Sequence, residues 1–179
     1  MTQRIRAAMQ DRDFPKLMGQ VEVDETYVRG KNANRPLRKR FEIKGRGPVG
    51  RTAVIGAISR KGNVVAKVIE DTSVPTINRF VRETVSNKVS LVATDEWTGY
   101  TKMGREFPHE SVDHKANEYV RGEVHTNNIE SFWSLLKRGI IGTFHNVSKD
   151  YLPLYLAEFQ FRHNNRNNPD IFKTMLAEC

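Results

Sequence analysis

"TAVIGAISRKGNVVAKVIED", residues 52–71, decides how this chain folds. Two apolar runs rich in β-branched residues flank "SRKGN", a turn-forming cluster, and together they predict a β-hairpin. Upstream, "QVEVDETYV" (residues 20–28) has strand composition, with Val21, Val23 and Tyr27 on one face. Downstream, "VPTINRFVRETVS" (74–86) sets Ile77, Phe80, Val81 and Val85 at helical spacing, and "VSLVATD" (89–95) is an apolar strand ending on Asp95. "KMGREF" (102–107) is expected as a short helix, and "ESVDHKANEYVRGEV" (110–124) as a short strand and a loop. A helix is predicted from Asn128 to about Gly139, then a break near "GIIGTFHNVSKD", then a helix in "YLPLYLAEFQFRHNNR" (151–166). That last helix is apolar enough for an interface and equally suited to plain core. Three consecutive strands, then helices alternating with strands, predict an α/β fold: a mixed sheet flanked by helices.

The charge is localised. The chain of 179 residues carries a net charge of +8. Residues 29–51, "RGKNANRPLRKRFEIKGRGPVGR", hold nine basic residues (Arg29, Lys31, Arg35, Arg38, Lys39, Arg40, Lys44, Arg46 and Arg51) against Glu42 alone, which accounts for the whole excess. Gly, Pro and Asn make this stretch a loop or arm. Phosphate backbones attract such arms through counterion release, so a nucleic acid is the expected partner; an anionic membrane is the weaker alternative. The single cysteine, Cys179, excludes an internal disulfide framework and a cysteine-based zinc site. No apolar run reaches the roughly 20 residues of a membrane span, and the start lacks a signal core. A soluble, cytoplasmic protein is expected, with no membrane partner.

The chemistry gathers on carboxylates. In "HTNNIESFWSLLKRG" (125–139), Ile129, Phe132, Trp133, Leu136 and Ile140 fall on one helical face; Glu130, Ser134 and Lys137 fall on the other. Glu130 and Lys137 are two turns apart, about 10 Å. Asn127 three residues before Glu130 also fits a capping box, which needs no chemistry. Asp24 inside one strand and Asp95 at the end of another are less easily explained, because aspartate is depleted in strands. If those strands are neighbours, the two carboxylates converge at a sheet edge, and Glu130 on a helix packed over it makes a third. Such a cluster repels itself unless a cation enters, and magnesium takes oxygen ligands of this kind. Two ions a few Å apart suit in-line displacement at phosphorus. Glu25 and Glu96 are expected on the opposite strand face. The five histidines show no metal-ligand spacing and are expected to be satisfied or at the surface; His114 stands in the loop before the helix.

"VEVDETYVRG", "LVATDEWTGY", "HTNNIESFWSLLKRGIIGTFH" and "YLAEFQFRHNNR" resemble the catalytic core of DDE-type bacterial insertion-sequence transposases of the ISXO-two-like group, in order from about residue 20 to 167. The 34 residues between Asp95 and Glu130 are similar to the spacing across such enzymes. The resemblance implies a ribonuclease-H-like fold in which the first strand carries Asp24, the fourth Asp95, and a following helix Glu130. It implies that these three acids are catalytic and bind Mg2+ (Mn2+ as a substitute), two ions in all. It also implies that Lys137, seven residues after the glutamate, contacts transposon-end DNA, with Arg138 and the arm as further phosphate contacts. Members usually carry an N-terminal zinc-ribbon or helix-turn-helix region, for which this sequence has neither room nor cysteines. Residues 1–18 are accordingly expected as a helical stub and linker, and 19–179 as the catalytic domain.

The expected activity is divalent-metal-dependent DNA cleavage at transposon ends, followed by attack of the freed 3′-OH on target DNA. Trp97 and Tyr100 could stack on an unpaired base, although packing in a turn explains them as well. A homodimer or larger synaptic assembly, nucleoid-associated in a bacterium, is the expected setting. A metal-dependent nuclease of the same fold, and an inactive DNA-binding or dimerising remnant, remain alternatives.

Overall fold

A computed structural model describes residues 2–10, 14–28, 51–95, 106–112, 125–145 and 147–177. The basic residues Arg29 to Arg46, together with Glu96, Trp97, Tyr100 and His114 and most of the expected helix at 102–107, lie outside the described residues.

The elements run α1 (Thr2–Ala8), β1 (Gln20–Val28), β2 (Thr52–Ser59), β3 (Val64–Ile69), α2 (Val74–Thr84), β4 (Leu91–Asp95), β5 (His109–Val112), α3 (Asn127–Arg138), a π-helical turn (Gly139–Thr143), α4 (Leu152–Asn164) and α5 (Ile171–Ala177). The five strands form one sheet in the order β3-β2-β1-β4-β5. β1, β2 and β3 are antiparallel neighbours, whereas β4 runs parallel to β1 and β5 parallel to β4. This is the mixed, ribonuclease-H-like sheet expected, with Asp24 on the first strand, Asp95 on the fourth and Glu130 on a later helix.

Alternation of side chains along each strand splits the core in two. Val21, Val23, Ile55, Ala57 and Val92 pack with Ile77, Phe80, Val81 and Val85 from α2 and the residue after it. Val28, Val54, Ile58, Val64 and Ala66 pack on the other face with Ile129, Phe132, Trp133, Leu136 and Ile140, and with Leu152, Leu156 and Phe159 of α4. Even-numbered β1 positions therefore face α3, and among them are Glu22 and Asp24.

The hairpin turns as expected: Ser59 N–H donates to Asn63 C=O at 3.0 Å, and Lys61 takes the left-handed conformation (φ 59°). The β3 edge is closed by α4. Asn164 Oδ1 accepts Val64 N–H (2.8 Å), Asn164 Nδ2 donates to Val64 C=O (3.0 Å), and Gln160 Oε1 accepts Ala66 N–H (2.9 Å). Four helical residues advance about 6 Å and two strand residues about 6.6 Å, so this pair of amides matches the strand's repeat and caps an edge that would otherwise recruit another chain. α4 is thus core on its inner side, with Leu152, Leu156, Ala157 and Phe159 buried.

Local details differ from what the sequence suggests. The α-helix ends at Arg138 and the expected break within 139–150 follows a π turn that extends helical structure through Thr143. Gly139 keeps right-handed helical angles, and a Cβ there would meet Phe159 Cζ at 2.3 Å, so this glycine serves close packing on α4. A short helix, α5, was not anticipated. α1 packs against α4 and α5: Arg6 is buried, pairs with Glu158 at 2.8 Å, and lies over the Phe144 and Tyr155 rings. Among the described residues no helix is long and apolar enough to cross a membrane.

Candidate active site

The parallel register of β1 and β4 pairs Gln20 with Leu91, Val21 with Val92 and Glu22 with Ala93. Continued two residues further, it brings Asp24 level with Asp95. The α3 helix packs on the same face, its first turn bonded to Glu22 and its Trp133 to Asp24. One open cleft of about 760 Å³ is lined by Asp24, Asp95 and Glu130, and also by Lys137 and Arg138 and the π-turn residues Ile141 and Gly142. The structure thus brings together the three predicted carboxylates and two of the predicted cations. Arg51 is exposed at the foot of β2, and the other predicted arm residues are outside the described residues. Glu25, expected to point away, also contributes to the cleft lining, and its backbone N–H donates to the Asp24 carboxylate.

Asp24 is the strained member electrostatically. Burial first, and then the charges of Asp95 and Glu130, raise its pKa from the ordinary 3.8 to about 6. Two hydrogen bonds resist this, from Glu25 N–H and from the Trp133 indole, whose Nε1–H donates to Asp24 Oδ2 at 3.0 Å. The indole reaches Asp24 because Gly56, the residue paired with Asp24 across β1 and β2, has no side chain; a Cβ there would meet Trp133 Cη2 at 2.6 Å.

Asp95 is held from behind. Thr94, fully buried, donates its hydroxyl to Asp95 C=O at 2.9 Å, so His109, whose Nε2 lies 2.8 Å from Thr94 Oγ1, must be the donor in that contact. Burial keeps His109 below the usual histidine pKa, which favours this neutral tautomer.

Glu130 is not part of a capping box. The N-cap is Thr126, one residue earlier than the box requires; its side chain makes no capping bond to the helix backbone and donates instead to Glu130 Oε1 at 3.0 Å. The helix N-terminus is filled from the sheet. Glu22, 1 % exposed, accepts Asn128 N–H (2.9 Å) and Ile129 N–H (3.1 Å) on Oε2, and Asn128 Nδ2–H (2.6 Å) on Oε1. Arg60 Nε donates to Glu22 Oε1 at 3.3 Å, and Arg60 also reaches Gln20 Oε1. His125 Nδ1 sits 3.3 Å from Glu22 Oε1, off the hydrogen-bonding direction, and is a buried nitrogen without a hydrogen-bond partner. His163 Nε2 is another, although the ring also bonds the Gly62 backbone and meets Phe132 edge-on.

The donor set is all carboxylate oxygen, which suits a hard divalent cation, and the raised Asp24 pKa marks negative charge that such a cation would neutralise. Among the described residues no three acidic or imidazole side chains stand close enough to hold one ion by themselves. Magnesium keeps several waters and usually takes one or two carboxylates plus substrate phosphate, so two of these acids with water are a fitting first shell.

Residues 16–164 match the ISXO2-like transposase domain. The chain belongs to that family. A relative, "Uncharacterized protein in transposable element ISH50" of Halobacterium salinarum, is 31% identical over 181 residues, covering 93% of this chain and 60% of the relative. A second, "Uncharacterized transposase-like protein" of Haemophilus influenzae, is 29% identical over 106 residues, covering 59% of this chain and 84% of the relative. The chain thus spans 60% of the length of the first of these transposon proteins. Among solved structures, the catalytic core domain of BIV integrase superposes with a TM-score of 0.46 at 13% identity, over 77% of this chain and 79% of that one. The HTLV-2 integrase catalytic core domain in complex with magnesium gives 0.47 at 12% identity, over 90% and 99%.

Proposed function

We propose that this domain cuts DNA at transposon ends and joins the freed 3′-OH to target DNA, using Asp24, Asp95 and Glu130 as catalytic metal ligands. One observation carries the reading: carboxylates from β1, β4 and α3 open onto a single cleft that Lys137 and Arg138 also line. Magnesium, with manganese as a substitute and two ions in all, would activate the attacking oxygen and stabilise the leaving one. Asp24 and Asp95, side by side on parallel strands, supply oxygen ligands from a rigid floor. Glu130 supplies a third from above. Trp133 holds Asp24 by its Oδ2. Lys137 and Arg138, both about two turns beyond Glu130, bind the phosphates of the entering strand, and the arm from Arg29 to Arg51 holds the duplex by its backbone. Family membership supports DNA as the substrate. We infer a homodimer or larger synaptic assembly, since two transposon ends must be brought together, and a cytoplasmic, nucleoid-associated setting. Residues 1–18 are proposed as the link to an end-binding region.

The test is a magnesium titration of wild type and Asp95→Asn on labelled DNA with a pre-cut transposon end and a plasmid target, with and without an added N-terminal end-binding region. Joined product from wild type alone supports strand transfer with Asp95 at the metal. Nicked plasmid without joining points to a nuclease. No product under either condition leaves a DNA-binding remnant and overturns the reading.

A further inference from the structure

The most completely enclosed charge in the described structure is Glu22, and the chemistry proposed above does not use it. It lies on β1 two residues before Asp24, on the same strand face. Its carboxylate is sealed beneath the start of α3, with Arg60 on one side and the helix N-terminus on the other. A buried carboxylate at a helix N-terminus satisfies N–H groups that lack intrahelical partners and is favoured by the helix dipole. Here the carboxylate belongs to the strand bearing one proposed metal ligand, and the helix bears another. Asn128 and Ile129, the residues clamped, immediately precede Glu130.

We propose that Glu22 is a positioning residue for the metal site: its carboxylate, oriented by Arg60, ties the first turn of α3 to β1 and thereby fixes Glu130 relative to Asp24. The inference rests on the reading of Asp24 and Glu130 as metal ligands. Three features argue for positioning over mere stability. The clamp uses backbone N–H groups, so it sets where the helix begins and not only that it packs. A strand and a helix joined by hydrophobic contact alone can slide, whereas charge-assisted bonds of 2.6 to 3.1 Å from three donors define one register. Asn128 is exposed apart from this bond, so its amide contributes little packing and can be removed with little loss of core.

Mn2+ binding to the folded protein tests this without any turnover. Trp133, bonded to Asp24, is the reporter: paramagnetic Mn2+ in the cleft quenches its fluorescence, and Trp97→Phe removes the second tryptophan. In that background Glu22→Gln is expected to weaken Mn2+ binding by about 10-fold or more, in the range that outer-shell partners of a metal site usually show, and Asn128→Ala, which leaves the two backbone bonds in place, by a smaller factor of about 3. DNA affinity measured in EDTA should be unchanged in both, as a loss of folding would not allow. Arg60→Gln, which removes the distant partner, should give an intermediate effect. Should Glu22→Gln fail to fold, Asn128→Ala and Arg60→Gln decide. Unaltered Mn2+ binding in folded variants overturns the positioning role while leaving the metal reading intact. Wild type that is not quenched by Mn2+, or is quenched equally with Asp24→Asn, overturns the metal reading and this inference with it.

Discussion

The Trp133 indole donates to Asp24 Oδ2 at 3.0 Å from a helix packed over the sheet, through a gap left by Gly56. A tryptophan 3 % exposed is by composition a core residue, and here its polar edge is spent on the proposed metal ligand. The bond orients the carboxylate and counteracts the burial that raises its pKa. Trp133→Phe keeps most of the volume and removes the donor. It should lower stability by about 1–3 kcal/mol, as for other bonds lost at buried groups, and weaken Mn2+ binding measured by calorimetry by about 10-fold. Unchanged affinity would show that the indole only packs.

Asp24 itself should make the metal-free protein less stable as pH rises. Its pKa is 3.8 when unfolded and about 6 when folded, so between those values the folded chain holds more protons. Stability therefore falls through that window; the penalty is absent below about pH 3.8 and complete above about pH 6, where it is on the order of 3 kcal/mol at most. In EDTA at pH 7.5, Asp24→Asn should raise the urea midpoint, and the gain should shrink toward pH 4. Mg2+ should reverse the order by stabilising wild type alone. A variant no more stable than wild type at pH 7.5 would mean that the charge is already neutralised within the protein.

Much of this site was legible in the sequence. The alternation in residues 20–28, the hairpin at 59–63 and the helical spacing of Ile129, Phe132, Trp133 and Leu136 each follow from periods of 2 or 3.6 that burial imposes. The unusual position of aspartates in strands pointed to Asp24 and Asp95. Glu22 was missed although the same reasoning reaches it: it is another acid in an apolar strand, on the same face as Asp24. Its role depends on Asn128, 106 residues away, and on Arg60 in a turn, which no local pattern connects. The Asn127–Glu130 capping box failed because the helix begins one residue earlier, at Thr126, whose C=O already accepts the Glu130 N–H, while a sheet carboxylate takes the Asn128 and Ile129 N–H groups. Gly139 read as a helix stop and Gly56 carried no reading, yet both make room for rings, Phe159 and Trp133, that approach from other elements.

The amides that close the β3 edge should matter to solubility as well as stability. Gln160 and Asn164 pair with Ala66 and Val64 where a sixth strand would otherwise add. Replacing both, Gln160→Leu with Asn164→Leu, leaves two strand N–H groups without partners, at about 1–3 kcal/mol each. Lower thermal midpoints together with concentration-dependent aggregation in light scattering are expected. A variant that loses stability yet stays monodisperse would show that the edge is protected by something other than these amides.

Lys137 and Arg138 are exposed on the last turn of α3, in the cleft that also holds the three acids. If they bind phosphates, each releases roughly one condensed counterion on contact, and the slope of log affinity against log salt should fall by about 0.9 for each residue replaced on duplex DNA. Lys137→Ala and Arg138→Ala should therefore weaken binding at low KCl, uniformly across duplex sequences, and the double variant should flatten the slope by close to twice as much. Fluorescence anisotropy with a labelled duplex in EDTA, over a range of KCl, isolates this from the metal. These side chains also offset the charge of the acids, so their removal should weaken DNA binding further by leaving the carboxylates to repel the backbone. Mg2+ should then restore part of the loss in the variants. Slopes identical to wild type in both single variants would place the phosphate contacts elsewhere, on the arm between Arg29 and Arg51.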